Sequence, residues 1–159
     1  CALAAYLVAP LALRDPATGW TVAVLCVLAL ALDGVDGWAA RRSGLSSAFG
    51  ARFDMETDAF LGAVLALLVW LSGKAGVWVL ALGGLRYLWI AGGLVMPWLA
   101  APLPESLRRK TVCVIQIAAL AALVSPALVP PLSGPVAAAA TALLVWSFAV
   151  DGVWLWRRR

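Results

Sequence analysis

Apolar runs at 20–32, 59–71, 75–101, 112–131 and 136–150 occupy most of the chain, and only short breaks separate them. The sequence is 64% hydrophobic and 13% charged, against roughly 25% charged in a typical soluble domain. That balance belongs to a chain whose solvent is lipid. The runs at 20–32 and 59–71 are shorter than the ~20 residues a membrane-spanning helix needs. Each reaches that length only by taking in part of the stretch between them, LDGVDGWAARRSGLSSAFGARFDMETD. Carboxylates must therefore lie at or inside the membrane boundary.

Clusters of Pro, Gly and Ser at 14–19, 42–47, 72–76, 101–110 and 125–134 break the chain into six helical segments. The expected fold is an all-α integral membrane protein, a six-transmembrane-helix bundle forming a single domain over 1–159. The first run, 2–13, is short for a span and follows Cys1, so the first helix is expected to be truncated. A cleaved signal peptide is the competing reading of that run, but no basic leader supports it. Cys1, Cys26 and Cys113 are few and far apart, which suggests neither a disulfide frame nor a CxxC metal site. The absence of histidine excludes His-based acid chemistry and His ligation.

Basic residues collect on the cytoplasmic side of membrane proteins. If the breaks alternate sides, one side receives Arg41, Arg42, Arg52, Arg108, Arg109, Lys110, Arg157, Arg158 and Arg159, and the other only Arg14 and Lys74. The acidic stretch is then a cytoplasmic turn. A net charge of +4 needs no nucleic-acid partner, because anionic head groups already favour basic inner loops.

On a helix each residue advances about 100°, so Asp33, Asp36, Gly37, Ala40 and Arg41 share one face. Gly50, Asp54 and Asp58 repeat every four residues and form a second stripe, from which Glu56 points away. Four aspartates can converge between two antiparallel helices. Together they repel one another and lose hydration, a cost of several kcal/mol unless cations compensate. All-oxygen ligands suit hard divalent ions, and Mg²⁺ is commonly shared between a few carboxylates and a substrate's phosphates. The small Gly37 and Ala40 leave room beside such a site, and Arg41 offers bidentate donors to a pyrophosphate.

These residues stand at the spacing D-x2-D-G-x2-A-R-x8-G-x3-D-x3-D, which resembles the signature of the CDP-alcohol phosphatidyltransferases. With each residue type at about 7%, a chance match is on the order of 10⁻⁹ per starting position. The resemblance implies a homodimeric membrane enzyme of phospholipid biosynthesis. It would transfer a phosphatidyl group from a CDP-linked lipid such as CDP-diacylglycerol to an alcohol, releasing CMP. It further implies that Asp33, Asp36, Asp54 and Asp58 bind two Mg²⁺ or Mn²⁺ ions and that Asp58 is also the general base. By the same resemblance Gly37, Ala40, Arg41, Ser47 and Gly50 line the CDP-lipid site, with the site facing the cytoplasm of a bacterial inner membrane.

Other polar residues carry two readings. Arg86, deep in its segment, is either paired with Glu56 or Asp151 or in contact with a lipid phosphate or the acceptor. Arg108, Arg109 and Lys110 are either inner-face anchors or a pocket for a phosphorylated acceptor. Asp151 is expected to partner arginines rather than a metal. Gly83, Gly84, Gly92 and Gly93 are expected to allow close helix packing. The Asp-Pro-x-x-Ala-Asp-Lys form of the second aspartate pair is replaced by Asp-Met-Glu-Thr-Asp-Ala, which disfavours a phosphatidylglycerophosphate synthase. The alternatives from other classes are a membrane prenyltransferase and a cation transporter, the latter wanting its carboxylates near the midplane.

Overall fold

A computed structural model describes residues 16–43, 48–104 and 106–158. Among them there is no strand, and five α-helices carry the fold. They are α1 (Pro16–Ser43), α2 (Ala48–Leu71), α3 (Leu80–Val95), α4 (Leu107–Val124) and α5 (Ser133–Trp156), with 3₁₀ turns at Val77–Val79 and Pro97–Ala100. The expected first segment at 2–13 lies outside the described residues. Helix α1 begins inside the expected break because Pro16 sits at its first position, where the missing N–H costs nothing.

The residues 77–95 and helix α5 are long and apolar enough to cross a membrane, yet only 17% and 28% of their apolar windows are buried. A soluble core helix would hide most of that surface. Leu94, at 84% exposed, and Val95, at 78%, show the same outward apolar face.

Helix α4 is the hub, packing against α1, α2 and α5, while α3 packs on α2 and α5. The core is a column of Leu65 and Val69 from α2, Leu82 from α3, Ile117, Leu120 and Leu123 from α4 and Leu144 from α5. Helix α5 turns inward Ser133, Ala137, Ala140, Leu144, Ser147, Asp151 and Leu155. Up to Asp151 these alternate steps of four and three, a seam that the sequence reading does not anticipate.

Of the four glycines expected at close contacts, Gly83 has the tightest approach. A Cβ there would stand 2.3 Å from the Ala63 Cα, so α2 and α3 cross backbone against backbone. Added Cβ atoms at Gly92 and Gly93 would meet Leu99 and Ala100, whereas Gly84 faces open space.

Helix α2 ends in a Schellman turn. Gly73, at φ 70°, is left-handed, and the N–H groups of Gly73 and Lys74 donate to the carbonyls of Trp70 and Val69. The turn delivers the Lys74 ammonium to the end of α4, where Nζ donates to the carbonyl oxygens of Leu123 at 2.8 Å, Val124 at 3.3 Å and Ser125 at 2.5 Å. Three acceptors match three ammonium protons, and the positive charge complements the helix C-terminus. Burial pushes the Lys74 pKa below its ordinary value. Ser133 at the start of α5 donates to the Lys74 carbonyl at 2.6 Å. One end of the bundle is thus tied by a single lysine, and most of the basic residues lie toward the other.

Candidate active site

The two aspartate pairs stand on continuous helix. Asp33 and Asp36 lie within α1, and Asp54 and Asp58 within α2, so each pair is spaced by about one helical turn. Gly37, Ala40 and Arg41 also lie within α1. The side chains of Asp33, Asp36, Gly37, Ala40, Arg41 and Asp54 fall outside what is described, as does Ser47 entirely. Gly50 is helical and exposed. Among the described residues there is no group of three metal-ligating side chains. The donor set of the motif is all carboxylate, which fits hard divalent cations by its chemistry.

Asp58 is half-buried and faces α4, with the Cys113 Sγ 3.8 Å from its Oδ2. The register is fixed one turn further on. A Cβ on Gly62 would lie 3.2 Å from the Gln116 Nε2 and 3.5 Å from the Ile117 Cδ1, so α2 presses on α4 there. Asp58 opposite Cys113 and Gly62 opposite Gln116 and Ile117 make α2 and α4 parallel. Cys113 stands one turn past Arg109 and Lys110 on α4, about 6 Å along the axis, so Asp58 lies toward the basic end. Gln116 itself is taken up by the fold, donating to the Leu82 carbonyl of α3.

Glu56, expected to point away from the aspartates, has a partner of its own. It pairs with Arg86 of α3, the ion pair being one of the two readings of Arg86. The Nε of Arg86 is buried without a hydrogen-bond partner among the described residues.

Arg108 is held by α5. Its Nη2 donates to Asp151 Oδ1 at 2.5 Å, and its Nη1 to the Ser147 carbonyl at 2.6 Å and Oγ at 2.7 Å. Its guanidinium also lies 5.7 Å from the Trp146 ring centroid. The Arg109 Nη1 is 3.6 Å from the same Asp151 oxygen, and Nη2 donates to the Pro104 carbonyl. Asp151 is therefore an arginine partner, as expected, but of Arg108 and Arg109. Lys110 is exposed. Sequence reasoning missed Cys113 and Ser147 as partners of these charges. A free cysteine in an apolar run carries no signal, whereas Ser147 one turn before Asp151 can be seen in the α5 seam.

The sequence matches the CDP-alcohol phosphatidyltransferase family over residues 1–151. The chain belongs to that family, whose members are membrane transferases of substituted phosphate groups that move a phosphatidyl group from a CDP-alcohol in phospholipid biosynthesis. No curated protein and no solved structure matches it.

Proposed function

We propose that this protein transfers the phosphatidyl group of a CDP-diacylglycerol-type lipid to a small alcohol, releasing CMP. The observation that carries the reading is the eight-position motif standing on two long helices of a chain that belongs to the family. Asp33, Asp36, Asp54 and Asp58 would hold two Mg²⁺ or Mn²⁺ ions. Bound there, such ions neutralise a pyrophosphate and the departing CMP oxygen. Asp58 takes the proton of the acceptor hydroxyl, and Arg41 with the small Gly37, Ala40, Ser47 and Gly50 seats the donor's nucleotide and phosphates.

The clustering of basic residues toward the Asp58 end supports a site facing the cytoplasm, and we place it in a bacterial inner membrane as part of the proposal. A homodimer is proposed on the family resemblance alone. The commitment of Arg108 and Arg109 to Asp151 supports the anchoring reading of the basic start of α4 over a phosphate pocket.

The test is CMP release by purified protein given CDP-diacylglycerol, Mg²⁺ or Mn²⁺ and a panel including inositol phosphate, glycerol phosphate, serine and choline. CMP should form with one acceptor and fall to background on chelation. No acceptor exceeding the chelated control would contradict the reading.

A further inference from the structure

We propose that Cys113 is a positioning residue for Asp58, its thiol donating to Oδ2 and, with the carboxylate's other partners, orienting its plane. The inference rests on Asp58 being the base. An aspartate's terminal torsion is broad, so its rotamer alone does not aim its oxygens. The Cys113 Sγ, 3.8 Å from Oδ2, supplies a direction. A thiol can donate a weak hydrogen bond and a carboxylate oxygen can accept it.

The backbone makes this contact stiff. Gly62, one turn beyond Asp58, lets α2 approach until a Cβ would touch Gln116 and Ile117. The buried Leu61 and Leu65 of α2, with Ile117 and Leu120 of α4, share the core beside it. The distance from Asp58 to Cys113 is thereby set by helix packing. A proton acceptor held within a few tenths of an ångström of its working position is what oriented catalysis requires.

The experiment compares Cys113→Val, which is apolar, about one methyl group larger and without a donor, with Cys113→Ser, which keeps a donor, and Asp58→Asn. Cys113→Val should lower kcat about tenfold while KM for CDP-diacylglycerol and the melting temperature stay near wild type. Cys113→Ser should stay within about twofold. In a Cys1→Ser, Cys26→Ala background the remaining S–H infrared band should move to higher frequency on Asp58→Leu, as the thiol loses this acceptor. Wild-type kcat in Cys113→Val, equal losses in Val and Ser variants, or an unmoved band would overturn the role. Turnover retained by Asp58→Asn would remove the base reading itself and the positioning role with it. An inactive Asp58→Asn beside a fully active Cys113→Val would sink only the latter.

Discussion

Asp58→Asn should lower CMP release by about 10³-fold, the usual share of a general base, while CDP-lipid binding survives. The amide has the size of the carboxylate but cannot accept the hydroxyl proton. Its loss as a metal ligand falls on a site with three further aspartates in the motif. Asp58 lies among protein groups rather than in open solvent, half-buried against α4 beside Cys113. Paired measurements of CMP formation and of donor binding decide it. Turnover within tenfold of wild type would show that the proton leaves by another route.

The second large effect is on stability. Asp151→Ala should cost about 2–4 kcal/mol, read as a lower melting temperature in detergent, because it strips a partly buried guanidinium of its carboxylate. The side chains of Arg108 and Asp151 are only 23% and 12% exposed, so water cannot replace the lost partner fully. Converting both residues to leucine should recover much of the loss, since no charge then remains buried there. If Arg108 serves the acceptor instead, Asp151→Ala will leave the melting temperature alone and change KM for the alcohol.

The catalytic motif was legible because it opposes its surroundings. Charges within apolar runs stand out, and the spacing of Asp33, Asp36, Asp54 and Asp58 is helical on inspection. The segment pattern was legible for a related reason: Pro and Gly clusters such as 125–134 interrupt otherwise continuous hydrophobicity. What stayed hidden was which face of each helix turns inward. In lipid both faces are apolar, so hydrophobicity no longer separates core from surface. Apart from Leu144, the α5 seam from Ser133 to Asp151 is made of small and polar residues, while Val145, Trp146 and Val153 look outward.

Pairings across helices were hidden too. Arg86 had two candidate carboxylates, and only the packing of α3 on α2 selects Glu56. Arg108 reaches Asp151 because α4 and α5 lie side by side. Neither contact leaves a mark in local spacing. The same holds for Cys113, whose place beside Asp58 follows from the parallel register that Gly62 permits.

The central claim is that the four aspartates form one two-metal centre, and Mn²⁺ electron paramagnetic resonance tests it most directly. Protein loaded with CDP-diacylglycerol and titrated with Mn²⁺ should take up two ions whose spins couple, and Asp33→Asn or Asp54→Asn should abolish the coupling. Two isolated ions in the wild type, or coupling that survives both substitutions, would contradict the account.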